Sequence, residues 1–222
     1  MIEVILDTET TGLSVAEGHR IVEIGCIEIK DLIPTKNKFH CYLNPERKVS
    51  KEAFQVHGYT DEFLSKQKKF SEVVDEFLNF IEGKRLVIHN AEFDISHINN
   101  ELKLIGKNVI KEKIVDTLQI ARDKFPGSGS SLDALCKRYN IDNSRREKHT
   151  AVIDCDLLLK VYINLLEQRE PTFELNVDKE INSEDQSNTV IKYSKKVIKP
   201  TDEEIKLHKD YLKKQIKKNY FN

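Results

Sequence analysis

Apolar and polar positions along the first 43 residues follow the patterns of β-strands. Residues 2–6 are mostly apolar and rich in Val and Ile, which predicts a buried strand. Residues 20–30 alternate between apolar and polar positions, and residues 38–43 predict another strand after a loop that contains Pro34. Because the connections between these three segments are short, we expect an antiparallel meander.

The middle of the chain changes to a helical period, and helices alternate there with short apolar runs. The predicted elements are short helical pieces within 50–65, strands over 85–89 and 114–116, and helices over 70–82, from 90 or 91 to 104, after 116 to 124, over 131–139 and over 150–167. Strands that alternate with helices usually pair in parallel, so the later strands are expected to join the sheet in parallel. The pattern therefore predicts an α/β fold.

Beyond residue 167 the apolar period is lost. Residues 168–198 are polar, without a sustained period, and predict a flexible linker, whereas residues 200–222 regain a weak helical pattern among many lysines. A helix of that kind buries little by itself, so we expect a partner surface for it. The predicted organisation is a domain over 1–168, a linker over 169–199 and a partner-binding tail over 200–222.

The charge is unevenly distributed along the chain. The net charge is −1, but residues 195–222 hold nine Lys against four acidic residues, which gives 9 − 4 = +5 and leaves −6 for the first 194 residues. An acidic body is not a strong nucleic-acid binder by itself, because neutralisation of phosphates drives such affinity. It can act on nucleic acid where metal ions supply the positive charge and another protein holds it in place.

Length and composition narrow the class of protein. A chain of 222 residues, 39% hydrophobic and 33% charged, is typical of a soluble globular protein with a core that needs no disulfides. No apolar run approaches the roughly 20 residues that span a bilayer, and Met1 is followed directly by a strand, so neither a membrane span nor a signal peptide is expected. The four cysteines form no Cys-x-x-Cys pair, which predicts reduced thiols and a cytoplasmic protein.

Two carboxylates follow the first strand directly. Asp7 and Glu9 are two residues apart, so on a strand they point to the same face. Two carboxylates that close repel each other unless a cation lies between them, and hard divalent ions such as Mg²⁺ and Mn²⁺ prefer oxygen ligands. The alternative is a strand that ends in a solvated acidic turn.

Two further acidic positions lie in helices. Asp94 ends the run His89-Asn90-Ala91-Glu92-Phe93-Asp94, which places it in the first turn or so of a helix after a buried strand. Asp154 lies within the apolar stripe of the helix over 150–167, and His149 lies at or just before the start of that helix. A buried unpaired acid is costly, so Asp154 either faces solvent or meets a cation, and its apolar neighbours favour the cation.

These motifs resemble those of the DEDDh 3′→5′ exonucleases. The resemblance rests on Asp-x-Glu after the first strand, His-Asn-Ala-x-Phe-Asp in the middle and His-x4-Asp in a late helix. Softer matches make the chain most similar to the proofreading (epsilon) subunits of bacterial DNA polymerase III. They lie at Val56-His57-Gly58, Phe125-Pro126-Gly127, 131–136 and 141–144, and the tail at 201–205 adds a thin match. The resemblance implies a ribonuclease-H-like α/β fold with a mixed five-stranded sheet, its first three strands antiparallel, flanked by helices and followed by a C-terminal tail.

The resemblance also implies roles for individual residues. Four carboxylates would bind two divalent cations, Mg²⁺ or Mn²⁺, with His149 as the general base: Asp7, Glu9, Asp94 and Asp154. Further residues would surround the terminal nucleotide: Thr8, Thr10, Leu13, Val56, His57 and His89. Of these, Leu13 and Val56 would wedge against the last base, His57 would touch its sugar or phosphate, and His89 would either contact the nucleotide or pack under the site.

Partners are implied in the same way. The tail would bind the catalytic (alpha) subunit of the polymerase, and the substrate would be a single-stranded or frayed 3′ DNA end. Residues Gln168 to Phe173 match the two ends of a sliding-clamp-binding peptide, with Pro171 in place of its aliphatic anchor.

The sequence therefore predicts a 3′→5′ proofreading exonuclease that removes mispaired 3′-terminal deoxynucleotides as 5′-monophosphates by two-metal-ion hydrolysis. One alternative is a free-standing exonuclease for RNA processing or DNA repair. Another is a catalytically silent subunit that stabilises a polymerase.

Overall fold

The computed structural model describes residues 1–146, 148–167 and 200–215. The chain divides into two compact units, Met1–Thr172 and Phe173–Asn222. In the first unit the described chain runs to Glu167. The linker predicted over 169–199 and the predicted clamp peptide, Gln168 to Phe173, lie outside the described residues.

A mixed five-stranded sheet organises the first unit, as the sequence predicts. Its strands are β1 (Ile2–Thr10), β2 (Ile21–Lys30), β3 (Ile33–Tyr42), β4 (Arg85–Ile88) and β5 (Ile114–Asp116). The order across the sheet is β3-β2-β1-β4-β5. The first three strands are antiparallel, and β4 and β5 continue from β1 in parallel.

The prediction of a loop around Pro34 is wrong. Strand β3 begins at Ile33, Pro34 pairs with Ile29 inside it, and the pairing of β2 with β3 shifts between Ile27 and Ile29. β3 is an edge strand of this sheet, where a residue without an N–H group is tolerated because one side of the strand has no partner.

Helices cover both faces of the sheet. Those of the first unit are α1 (Lys51–His57), α2 (Asp61–Ser65), α3 (Phe70–Ile81), α4 (Ala91–Leu104), α5 (Thr117–Lys124), α6 (Leu132–Arg138) and α7 (Ala151–Glu167), with a short 3₁₀ helix at Val15–Glu17. Serine and threonine caps begin several of them. The Ser131 hydroxyl, for example, accepts a hydrogen bond from the Ala134 N–H at 3.2 Å at the start of α6.

The two sides of the sheet have separate hydrophobic cores. Val4 and Leu6 of β1 pack on the side of α3 and α4, while Ile5 packs on the side of α6 and α7. Because strand residues alternate between faces, Asp7 and Glu9 continue the row of Ile5. The strand therefore directs both carboxylates towards the face that α7 covers.

The second unit contains helix α8, Asp202–Gln215. A reciprocal capping box begins it, because the Thr201 N–H donates to Glu204 Oε2 at 2.8 Å and the Glu204 N–H donates to Thr201 Oγ1 at 3.3 Å. This helix lies within the tail over 200–222 for which the sequence predicts a weak helical pattern.

The four cysteines are free thiols, as the sequence predicts. In the described residues, no helix combines the length and the apolar character that crossing a membrane requires.

Candidate active site

Asp7 and Glu9 lie in the carboxyl-terminal half of β1, beyond its pairing with β4, which ends at Ile5. Burial raises the pKa of Asp7 well above its ordinary value, and the charges of Asp94, Glu9 and Asp154 add to the shift. Burial likewise raises the pKa of Glu9 to about 8, with further contributions from Asp154 and Glu23. The two carboxyls therefore share a crowded acidic site that favours a cation or protons.

Asp94 is brought to this site by the first turn of α4. Its Oδ1 accepts hydrogen bonds from the Thr8 N–H at 2.9 Å and from the Thr8 hydroxyl at 2.7 Å. Asn90 precedes the helix in the left-handed region, with φ of 66°, and its N–H donates to Asp116 Oδ1 at 3.0 Å. Burial raises the pKa of Asp94 to about 7, although the bonds from Thr8 oppose the shift.

Asp154 reaches the site from α7 on the other side. It is 3% exposed, so it does not face solvent, and its contact with a divalent cation stays a prediction. The Ala151 N–H, at the start of the helix, donates to Glu23 Oε2 at 3.0 Å. The buried Glu23 of β2 thus fixes the amino-terminal end of α7, the helix that carries Asp154.

His149 lies two residues before the first residue of α7 and remains partly open to the cleft. Its side chain is 39% exposed, and its Nδ1 lies 3.3 Å from Asp154 Oδ2. Its backbone N–H donates to the carbonyl of Val56 at 3.1 Å, which ties the segment before α7 to α1. Ligand atoms of Glu9, His149 and Asp154 all lie within 4.8 Å of one another.

Arg146 is a residue of this site that the sequence patterns do not indicate. It lies in the polar segment before α7, next to a second arginine, and a pair of arginines in such a segment is typical of a solvated loop. In the structure its side chain is 8% exposed and its guanidinium binds both carboxylate oxygens of Asp154. Only the folded chain brings it to this position.

A cleft of about 490 Å³ contains the candidate catalytic residues. Its lining includes all four carboxylates and His149, together with Thr8, His89, Asn90, Arg122, Ser131 and Arg146. A second hollow of about 450 Å³ shares Glu9 and Phe93 with the first. It is lined by the four remaining residues predicted to contact the nucleotide: Thr10, Leu13, Val56 and His57.

The predicted nucleotide-contacting residues differ in their surroundings. Leu13 is 83% exposed and Val56 is 42% exposed, so both offer apolar surface at the second hollow. His57 is buried and its Nδ1 accepts a hydrogen bond from the Tyr59 N–H at 2.9 Å, while its Nε2 has no hydrogen-bond partner among the described residues. Thr10 donates its hydroxyl proton to the Gly12 carbonyl at 2.7 Å.

Thr8 and His89 make contacts beneath the first cleft. Thr8 is 5% exposed and binds Asp94, so in this state its hydroxyl supports a carboxylate. His89 Nδ1 lies 2.9 Å from Thr117 Oγ1, and burial lowers the pKa of His89. Their predicted contacts with the nucleotide stay predictions.

Known proteins are similar to this chain in sequence. An exonuclease family model (RNase_T) matches residues 4–162. The DNA polymerase III subunit epsilon of Rickettsia conorii is 46% identical over 98% of this chain and 98% of its own length. The protein of that name from Escherichia coli K12 is 48% identical over 72% of this chain and 70% of its own.

Solved structures with the same fold include nucleases of low sequence identity. Exonuclease X in complex with 5′ overhanging duplex DNA superposes with a TM-score of 0.60 at 24% identity, covering 75% of this chain and 92% of that one. The nuclease domain of 3′hExo, a DEDDh family member bound to rAMP, gives 0.66 at 16%, covering the same shares.

The family model and the epsilon relatives show that this chain is a 3′→5′ exonuclease, and its mixed sheet has the fold of a DEDDh nuclease. Within that class, the chain belongs to the family of DNA polymerase III epsilon subunits.

Exonucleases of the DEDDh class depend on divalent metal ions. The donor set of this site fits such ions, because the four carboxylates line one cleft and hard divalent ions such as Mg²⁺ and Mn²⁺ prefer oxygen ligands.

Proposed function

We propose that this exonuclease proofreads for a replicative DNA polymerase, removing mispaired 3′-terminal deoxynucleotides one at a time as 5′-monophosphates. The observation that carries the proposal is the convergence of the four carboxylates and His149 on one cleft. The full-length similarity to subunits named DNA polymerase III epsilon supports the replicative setting. Such a subunit would work in the cytoplasm, beside the chromosome.

Each catalytic residue has a stated role in this proposal. The carboxylates that would hold the divalent ions are Asp7, Glu9, Asp94 and Asp154. Two ions, Mg²⁺ or Mn²⁺, would supply the charge that activates the attacking water and stabilises the leaving 3′-oxygen. His149 takes the proton of the attacking water, and Asp154, 3.3 Å from Nδ1, stabilises the positive charge that the imidazole gains.

The second hollow receives the terminal nucleotide. Leu13 and Val56 place exposed apolar side chains at its rim, suited to the face of an unpaired base. His57 lines the same hollow, and its Nε2, which is buried without a hydrogen-bond partner in the described structure, would contact the sugar or phosphate after a turn of the ring. Thr10 lines the hollow as well, and Thr8 and His89 line the adjoining cleft.

The tail attaches the enzyme to its partners. We assign residues 1–168 to the exonuclease domain, 169–199 to a linker and 200–222 to the segment that binds the polymerase catalytic (alpha) subunit. Helix α8 begins this last segment, in which the lysines are concentrated. The peptide from Gln168 to Phe173 would bind the sliding clamp, with Pro171 where such peptides carry an aliphatic residue.

The proposed activity is tested with a 5′-labelled primer on a template, paired or mispaired at its 3′ end, and the pure full-length protein with Mg²⁺. A ladder of one-nucleotide steps, faster from the mispaired end and absent with Asp7→Ala or in EDTA, is the expected result, because a frayed end costs less to unpair. Digestion of labelled RNA but not DNA would instead indicate the RNA-processing alternative. No digestion of either would leave the structural-subunit alternative.

Attachment is tested separately. Deleting residues 169–222 should abolish co-purification with the polymerase catalytic subunit while the isolated exonuclease keeps its rate. Unchanged co-purification would contradict the assignment of the tail.

A further inference from the structure

The guanidinium of Arg146 is enclosed by three polar side chains at the active site. Its Nε donates to Asp154 Oδ1 at 2.6 Å and its Nη2 to Asp154 Oδ2 at 2.7 Å. The same Nη2 lies 3.0 Å from His149 Nδ1, and Nη1 lies 2.8 Å from Asp133 Oδ2 on α6. Two parallel N–H···O bonds from one guanidinium to both oxygens of one carboxylate, a fork, form a strong charge-assisted pair.

The ion pair of Arg146 with Asp154 uses a carboxylate that the proposed metal site also needs. Asp154 is one of the proposed ligands, and both of its oxygens are hydrogen-bonded to Arg146. A divalent ion and a guanidinium on the same carboxylate repel each other at short range, in a site whose side chains are largely withdrawn from water. The two cations therefore compete for Asp154.

We propose that Arg146 is an internal counter-ion for Asp154, a positioning residue that must release at least one oxygen of this carboxylate before Asp154 binds a divalent ion. The inference rests on the metal site proposed above. In the metal-free enzyme Arg146 offsets the repulsion among the carboxylates and keeps the segment before α7 in place.

Asp133 gives Arg146 a second anchor outside the proposed set of metal ligands. Its carboxylate is 56% exposed and also accepts a hydrogen bond from Asn143 Nδ2 at 3.0 Å. After release from Asp154, the guanidinium stays bound to Asp133 at the wall of the cleft instead of moving into solvent. The exchange is therefore a local movement of one side chain.

The first test measures Mn²⁺ binding to the full-length protein by calorimetry at pH 8, comparing wild type with Arg146→Gln. Loss of the competing charge is expected to tighten Mn²⁺ binding about tenfold. Arg146→Lys keeps a charge but loses the fork, so its affinity should fall between the two. Arg145→Gln, the exposed neighbour, is the matched control and should bind Mn²⁺ as the wild type does.

Equal or weaker Mn²⁺ binding by a folded Arg146→Gln would overturn the inference, because the arginine would then assist the metal or ignore it. A wild-type protein that binds no Mn²⁺ would contradict the proposed metal site itself. The two failures are thus distinguishable.

A second measurement needs no destabilising substitution. In the ¹⁵N-labelled wild type, the Arg146 Nε–H resonance, assigned by its loss in Arg146→Lys, should shift or broaden as Mg²⁺ saturates the site. A resonance that stays unchanged at saturation would show that Asp154 keeps its arginine, and the inference would be wrong.

Discussion

Gly25 of β2 lies against the backbone of Ala151, the first residue of α7. A Cβ atom at Gly25 would approach the Ala151 carbonyl carbon to 2.7 Å and its oxygen to 2.8 Å. Gly25 is also the partner of Asp7 across the β1–β2 pair. The missing side chain therefore lets the end of α7 reach the sheet where the catalytic carboxylates meet.

Gly25→Ala is expected to displace the start of α7 and with it His149 and Asp154. Overpacking of this kind costs about 1–3 kcal/mol of stability, and a misplacement of about 1 Å lowers turnover by roughly a hundredfold. Thermal unfolding and single-turnover hydrolysis measure the two effects. Gly129→Ala, whose Cβ would be 3.3 Å from Ala134, is the control and should change stability and turnover little. Equal effects of the two substitutions would contradict the close approach of Gly25 to Ala151.

The stability of the metal-free enzyme should fall as the pH rises. The folded-state pKa values of Glu9, about 8, and Asp94, about 7, lie above their ordinary values of 4.5 and 3.8. The folded state therefore binds more protons than the unfolded state between about pH 4 and 8, and stability is lost as the pH rises through the folded values. The melting temperature in EDTA should drop by about 5 °C or more from pH 5 to 8.5.

Saturating Mg²⁺ should flatten this pH profile, because the cation replaces the protons. Glu9→Gln should flatten it in EDTA, whereas Asp156→Asn on the exposed side of α7 should leave it as steep as in wild type. A melting temperature in EDTA that rises from pH 5 to 8.5 would show that the carboxyls do not share one crowded site.

His149→Ala should separate catalysis from metal binding. Removal of a general base lowers the rate by about 10²–10⁴-fold, while the four carboxylates that would hold the ions remain. Single-turnover hydrolysis and Mn²⁺ calorimetry on the same protein measure the two properties. His208→Ala in α8 is the control, and a His149→Ala enzyme with near wild-type turnover would exclude the proposed role.

The double substitution Leu13→Ala and Val56→Ala should weaken the binding of the terminal base. The loss of exposed apolar surface at the second hollow is expected to raise KM about tenfold and to change kcat less, because these side chains do not touch the reacting atoms. Leu104→Ala, at an exposed position at the end of α4, controls for the loss of a surface leucine. A fall in kcat alone would place both residues outside the nucleotide site.

The local patterns of this chain predict most of its elements. Apolar runs and helical periods place β2, β4, β5 and the helices over 70–81 and 151–167 within one residue of their observed bounds, while β1 runs four residues further than predicted and β3 begins five residues earlier. The wrong loop at Pro34 has a clear reason, since whether a proline can stay in a strand depends on that strand lying at the edge of the sheet. That position is a property of the whole sheet.

The sequence by itself also determined which carboxylates are candidates for the chemistry, because their positions at the end of a strand and near the starts of helices follow from local spacing. Asp7 and Glu9 share a face by the period of a strand, and Asp154 interrupts an apolar stripe. The roles of Gly25, Glu23 and Arg146 were decided only by the tertiary structure. Each depends on contacts between segments distant along the chain or on the burial of a polar loop, which no local period encodes.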